Sequence, residues 1–314
     1  SMASFTAAGT SYATHGEHML PFYIFYSMFG FQRTGDLMWA AADAGARGFL
    51  LGATAGRTTL NGEGLQHQDG HSPLLMSVLP NCMVYDPAFA YEMAAIVEDG
   101  CRRMLVDEED VLYYLTLYNE NYAMPGMPKG VEADVLRGLY RFEAAPGEPS
   151  KRATILFSGP AWRAAVEARD ELAASWDVGA ELWSATSYKA LRDEALSTER
   201  WNRLHPSQSA RTPWVTERLS DAEGPYVAVT DYMKAVPDMI DRWVPGTFEV
   251  LGTDGFGRSD TREALRRHFE VDAGHVVVAT LHALAAEGQV KASAVTKAIA
   301  KYRVDPEAVD PRLA

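Results

Sequence analysis

The sequence predicts an α/β protein built from two parallel or mostly parallel α/β/α sandwich domains. Short continuous apolar runs such as "GFLLGATA" and "ATILFSG" have the length and hydrophobicity of strands buried on both faces. They alternate with segments whose apolar residues recur at three- and four-residue spacing, the pattern of helices that cover a sheet. A proline- and glycine-rich stretch near the middle separates two such series.

The opening segment, "SMASFTAAGTSYATHG", is small and weakly amphipathic, and the chain starts abruptly, without the strand that usually opens an α/β domain. "LPFYIFYSMF" suits a buried strand and "TGDLMWAAADAGARG" a helix closed by glycine. "GFLLGATA" follows as a strand, "SPLLMSVLP" as a short helix, "CMVYDP" as a strand, "AFAYEMAAIVEDGCRRML" as a helix and "VLYYLTLYN" as an aromatic strand. These elements make a first domain over residues 1–125. Pro125, Pro128, Gly130, Pro146, Gly147 and Pro149 mark 126–150 as a linker. A second domain over 151–314 opens with strand "ATILFSG", helix "AWRAAVEARDELAASW" and strand "AELWSAT", then continues with "YVAVTDYM" and "FEVLGTDGFGRSD". It closes with helices "TREALRRHFE" and "HVVVATLHALAAEG"; "VVVAT" alone would suit a strand, but the leucines and alanines after it keep helical spacing.

With 47% hydrophobic residues in 314, each domain can bury its own core. A formal charge of −13 with no basic patch argues against nucleic acid and anionic membrane surfaces as partners. No run approaches the roughly 20 apolar residues that cross a bilayer, and no signal pattern opens the chain. The two cysteines, Cys82 and Cys101, fall in a strand and a helix, which argues against a disulfide framework and fits a reducing cytoplasm.

The chemistry concentrates in "NGEGLQHQDGH", residues 61–71, a polar loop between two segments that must be buried. It leaves the carboxyl end of a parallel strand, where open α/β sheets place their ligands, and its glycines let backbone approach a ligand closely. His67, Asp69 and His71 form H-x-D-x-H, but the glycines disfavour the helix that would align two histidines, and no further ligand cluster lies nearby. No metal site is therefore assigned, and His71 is expected to cap or hydrogen-bond the following helix. In "LPFYIFYSMFGFQR" most aromatics fill a core, whereas Tyr26 and Phe29 at the strand's end could sandwich a flat heterocycle. "GTDGFGRSDTRE" has the glycines in the wrong order for a dinucleotide fingerprint and reads as a tight strand exit, with Asp260 capping the next helix and Glu263 completing a capping box. "VDEED" reads as a solvated connection, and Asn119, Glu120 and Asn121 as residues holding a loop.

Taken together, "FYIFYSMFGFQR", "RGFLLGATAGRTTLNGEGLQHQDGHS", "YDPAFAYE", "LYNENYAMP" and "LGTDGFGRSDTRE" resemble the homodimeric bacterial pyruvate dehydrogenase decarboxylase component, a thiamine diphosphate enzyme of the transketolase superfamily. The resemblance implies that residues 1–125 are its pyrimidine-binding domain and 151–314 its transketolase C-terminal-like domain. It implies Phe29 as the ring stacked on the aminopyrimidine, Tyr26 near the reacting carbon and His67 as the active-site histidine. The implied activity is decarboxylation of pyruvate, with the two-carbon unit passed to a lipoyl group on a partner or carrier protein. The family's pyrimidine-activating glutamate would precede residue 1, and its diphosphate and magnesium motif is not in the chain. Thiamine diphosphate and magnesium would thus be held mainly by a diphosphate-binding domain or subunit outside this sequence, in a homodimer or heterotetramer. A second reading is one subunit of a split transketolase-like enzyme that moves a two-carbon ketol unit from a ketose phosphate. A third, a non-catalytic scaffold, is disfavoured by the presence of Tyr26, Phe29 and His67.

Overall fold

The structure is a computed structural model that describes residues 1–314. The opening segment forms helices α1 (Met2–Gly9) and α2 (Ser11–His15). Strand β1 (Phe22–Tyr26) runs directly into α3 (Ser27–Asp43), and then come β2 (Gly48–Ala53), α4 (Ser72–Met76), β3 (Cys82–Tyr85), α5 (Ala90–Leu105) and β4 (Leu112–Thr116). The four strands pair in parallel in the order β1-β2-β4-β3, which puts β1 at an edge. Helix α3 begins seven residues before the "TGDL" expected from sequence, since "SMFGFQR" is helical. Gly30 makes this fit, because a Cβ there would lie 2.1 Å from the Phe25 ring. Thr34, with non-helical φ of −132°, marks a kink where its hydroxyl donates to the Gly30 carbonyl at 2.8 Å.

One sheet face is sealed by α1, α3 and α4 through Met2, Phe5, Met38, Leu50 and Tyr114. The other packs on α5, whose Gly100 lets Phe49 lie close to the helix axis. Helix α5 starts where it does because the Glu92 carboxylate reaches back to accept from the Ala88 and Phe89 amides.

Residues 126–150, expected as a linker, contain α6 (Glu132–Arg137) and β5 (Tyr140–Glu143), and β5 is an antiparallel edge strand of the second sheet. The signal was hidden because the strand is four residues long and framed by proline and glycine. The rest of the second unit comprises β6 (Lys151–Phe157), α7 (Trp162–Trp176), β7 (Val178–Ser184), α8 (Tyr188–Leu204), α9 (Trp214–Leu219), β8 (Tyr226–Val229) and β9 (Phe248–Leu251), then α10 (Arg262–His268), α11 (Ala273–Ala286) and α12 (Ala292–Lys301). Its sheet order is β5-β7-β6-β8-β9, so the chain turns to opposite sides after β6, and the crevice beyond the carboxyl ends of β6 and β8 is a topological switch point. Helices α8, α9 and α12 have no counterpart in the sequence reading. The span Arg262–Ala286 is long and apolar enough to cross a membrane by length and composition, but it is two helices, 61% buried in this core. Helix α10 is capped by the Thr261 hydroxyl, which accepts from the Ala264 amide at 3.2 Å, and not by Asp260; the predicted cap was one residue early. A single apolar cluster runs from Phe49 and Tyr113 through Phe89 and Phe157 to Val276 and Leu281, so the two sheets share a core.

Candidate active site

The carboxyl edge of the first sheet brings Tyr26, Phe29 and His67 together. Tyr26 is the last residue of β1, and Phe29 lies in the first turn of α3 and not on the strand, as its spacing had suggested. His67 ends a single 3-10 turn, Leu65–His67, in the loop after β2. The ring centroids stand 6.2 Å apart for Tyr26 and Phe29, 5.7 Å for Tyr26 and His67, and 5.4 Å for Phe29 and His67, the last pair edge to face. The cluster lies open: Tyr26 is 49% exposed and the His67 side chain 30%. The guanidinium of Arg33, one turn along α3, sits 4.5 Å from the Phe29 centroid.

The sequence reading missed Glu63, whose Oε2 is 3.0 Å from His67 Nδ1. A carboxylate only accepts, so Nδ1 carries a hydrogen and Nε2 is left free to face a ligand. The four-residue spacing of Glu63 and His67 was the signal available. His71, expected to cap or hydrogen-bond α4, is its N-cap residue, with its carbonyl accepting from the Leu75 amide at 3.1 Å, but its side chain makes no cap bond: Nε2 lies 2.6 Å from the Gln32 amide nitrogen, and the side chain that meets the helix start is Asp69, whose Oδ1 accepts from the His71 and Ser72 amides at 3.0 and 2.9 Å. His67, Asp69 and His71 therefore do not converge, and no group of three potential ligand side chains is placed to hold a metal ion.

Only the first part of the polar loop faces outward. Gln68, Asp69 and Gly70 are buried against the second unit: Gln68 Oε1 accepts from the Arg258 amide at 2.7 Å, and the Gly70 carbonyl accepts from Met233 N at 2.8 Å. Just upstream, the Thr58 hydroxyl donates to Asp231 Oδ1 at 2.6 Å and its amide to Oδ2 at 3.1 Å, while Arg57 donates to the Gly255 carbonyl at 2.6 Å. Burial lowers the Arg57 pKa, and Asp69, Asp231 and Asp254 oppose that. The "GTDGFGRSD" stretch, expected only as a strand exit and helix cap, thus also clamps the candidate site loop.

The switch point of the second sheet is filled from the first. Asp86, at the end of β3, accepts from Ser158 Oγ at 2.6 Å, from Thr116 Oγ1 at 2.7 Å and from Tyr118, and Ser158 in turn meets Thr230 at 3.0 Å. Glu120 pairs with Arg163 at 3.0 Å and with Arg266, holding its loop to the second unit. Burial raises the Asp86 and Asp231 carboxyls, the latter to about 6 from an ordinary 3.8, despite the Thr58 bonds that lower it. An acid with a raised folded pKa favours the folded state while it is protonated. The contribution of Asp231 is therefore fully present below about pH 4 and is lost as pH rises through 6. Asp231→Asn, which cannot ionise, gains melting temperature relative to the parent as pH climbs from 4 to 7. A difference between the two proteins that stays constant over that range contradicts this assignment.

Two such sheets, with the second covered by C-terminal helices, make the transketolase fold, as solved structures of that fold show. A split-gene transketolase described as an inactive β4 tetramer matches with a TM-score of 0.62 at 18% identity, covering 90% of this chain and 80% of that one. Transketolase from Leishmania mexicana matches with a TM-score of 0.61 at 18% identity, over 84% of this chain and 34% of that chain. Residues 1–125 match the pyruvate dehydrogenase E1 component middle domain, and residues 138–272 the transketolase-like C-terminal domain. The pyruvate dehydrogenase E1 component of Pseudomonas aeruginosa is 53% identical over 99% of this chain and 35% of its own length. That of Mycobacterium tuberculosis is 54% identical over 99% and 34%, and that of Escherichia coli 51% over 99% and 35%. The chain belongs to the pyruvate dehydrogenase E1 component family and spans about a third of the length of these relatives.

Proposed function

We propose that this chain supplies the pyrimidine-binding wall and C-terminal unit of a thiamine diphosphate-dependent 2-oxo acid decarboxylase acting on pyruvate, with Phe29, Tyr26 and His67 facing the cofactor and substrate. The observation that carries this is the convergence on one open patch of two side chains from the β1–α3 junction and one from the loop after β2. When bound, thiamine diphosphate supplies the electron sink that lets a 2-oxo acid lose carbon dioxide. The residues present fit its flat ring and not its charged tail: an aromatic face and a hydroxyl stand at the patch, and no metal-binding group of side chains does.

Phe29 offers its ring to the aminopyrimidine once Arg33, an exposed side chain, swings aside or takes the opposite face. Tyr26 orients the substrate through its hydroxyl. His67, held by Glu63 through Nδ1, presents Nε2 to the oxygen on which charge develops, as hydrogen-bond or proton donor. The carboxyl edge is completed from outside: Phe22, Ile24 and Tyr26 leave one face of edge strand β1 about half exposed, at 51%, 62% and 49%, as expected where a diphosphate-binding domain or subunit with its magnesium packs. The two-carbon unit then leaves to a lipoyl group on a partner protein. The family identity at 51–54% favours this reading over a split transketolase acting on ketose phosphates.

Calorimetric titration of thiamine diphosphate into the protein with its diphosphate-binding part present tests the assignment. Phe29→Ala is expected to weaken binding roughly tenfold, the loss of one well-packed ring contact. An unaltered dissociation constant removes Phe29 from the cofactor site.

A further inference from the structure

Phe29 and His67, the two side chains that a bound cofactor and substrate would have to meet together, stand on different supports. Phe29 rides on α3, whose Met38, Ala41 and Ala42 are sunk in the core beneath the first sheet. The His67 loop hangs from the second unit: the Gly62 amide donates to the Asp260 carbonyl at 2.9 Å, Gln68 Oε1 accepts from the Arg258 amide at 2.7 Å, and the Gly70 carbonyl accepts from Met233 N at 2.8 Å. Helix α3 is itself divided. The non-helical Thr34 separates its first turns, which carry Phe29, from the part anchored in the core, so the packing of Met38 and its neighbours does not by itself set where Phe29 stands.

One hydrogen bond joins the two supports. The Gln32 side-chain amide meets His71 Nε2 at 2.6 Å, and no other hydrogen bond or ion pair runs from α3 to residues 61–71. Gln32 lies three residues along α3 from Phe29, on the same side of the kink, and His71 lies four residues along the loop from His67. The base of His71 is fixed, since Asp69 Oδ1 accepts from its amide at 3.0 Å and its carbonyl accepts from the Leu75 amide at 3.1 Å. A primary amide offers both a donor and an acceptor, so it can meet a neutral ring through nitrogen or a protonated ring through oxygen, and the tie does not depend on the charge of His71. The bond is a second rung beside the Phe29 and His67 rings, whose centroids stand 5.4 Å apart. A flat ring set on Phe29 widens that first rung, and the amide–imidazole bond is then what still links the walls.

We infer that Gln32 and His71 are positioning residues for the reaction: their bond sets the separation of Phe29 and His67, and they act through those two side chains. A shift of about 1 Å in the placing of a reacting group can cost on the order of 100-fold in rate, so a single tie between otherwise separate supports has leverage out of proportion to its strength. The inference rests on the reading of Phe29 and His67 as walls of the cofactor site.

The test uses the complete enzyme, this chain with its diphosphate-binding part. Gln32→Met keeps the length of the side chain without its amide, and His71→Asn keeps a residue suited to open α4 but too short to reach Gln32. Each is expected to lower turnover of pyruvate about tenfold, with the Michaelis constant changed by less than about threefold and the melting temperature by no more than about 2 °C, a split that a loss of folding would not give. The double variant should be about as slow as either single one, and Gln32→Glu, whose carboxylate accepts from the ring, should keep most of the turnover. In the protein without cofactor, exchange of the His67 amide, which is bonded to the Gly64 carbonyl at 2.9 Å, should quicken in both single variants. Unchanged exchange, or losses in turnover that multiply in the double variant, overturns the tie. Parent-like turnover by both single variants while His67→Ala is impaired overturns the positioning role alone, whereas full turnover by His67→Ala removes the reading on which it rests.

Discussion

On the proposed role of His67, its replacement by alanine is expected to lower turnover of pyruvate by the complete enzyme about 100-fold or more, with little change in melting temperature, because that role sets the side chain against the reacting group while its polar contact in the fold is a surface one. The imidazole is 30% exposed and its one polar partner, Glu63, is itself 48% exposed, so the pair is a surface pair worth at most about 1 kcal/mol of stability. Its neighbours Gln68 and Asp69 make the bonds that fix the loop, and those survive the substitution. Glu63→Gln should fall between parent and His67→Ala in turnover, since an amide can still meet Nδ1 but no longer demands that it carry the hydrogen. Turnover by His67→Ala equal to that of the parent would take the histidine out of the chemistry.

Gly56→Ala should be among the most damaging single-methyl additions in the chain. The residue has φ of +85°, and a Cβ there would lie 2.1 Å from Asp231 Oδ2 and 2.9 Å from Tyr118 Cε1. Left-handed backbone costs a side chain about 1–2 kcal/mol and overpacking a buried contact about 1–3, so the loss is about 2–5 kcal/mol and the fall in melting temperature on the order of 10 °C. Gly62→Ala is the control: φ is +72°, yet nothing lies within 4 Å of the added methyl, so only the backbone cost applies. Equal destabilisation by the two substitutions would mean that the junction between the units yields freely, contrary to its packing.

The alternation of strand and helix was legible because strands of a covered parallel sheet are largely apolar, and eight of the nine strands fall in short, mainly apolar runs of that kind. Strand β5 does not, since it is an edge with the alternating burial of Tyr140 and Phe142 against Arg141 and Glu143. The start of α3 was obscured because its first turn continues the aromatic run of β1, so composition there could not say where one period gives way to the other. Tyr26, Phe29 and His67 were readable as candidates from residue type and resemblance. The partners that hold the loop, Asp231 and Arg258, lie more than 160 residues away in sequence, and no local pattern links them. Asp69, weighed in the H-x-D-x-H pattern and not assigned as a ligand, accepts from the amides that open α4, a role that only the direction of those amides reveals.

Glu92 has a consequence for how the molecule can be cut. Its carboxylate starts α5 in the first unit, yet it is wholly buried and also accepts from Tyr140 and Ser184 hydroxyls of the second, each at 2.7 Å. Separating the halves would leave that acid in a greasy wall stripped of two donors, and would leave the first half without the tyrosine that seals its helix start. The two family segments seen in the sequence are therefore one inheritable folding unit: they can be swapped between relatives as a pair, but a chimera joined between them must carry the tyrosine and serine along with the glutamate.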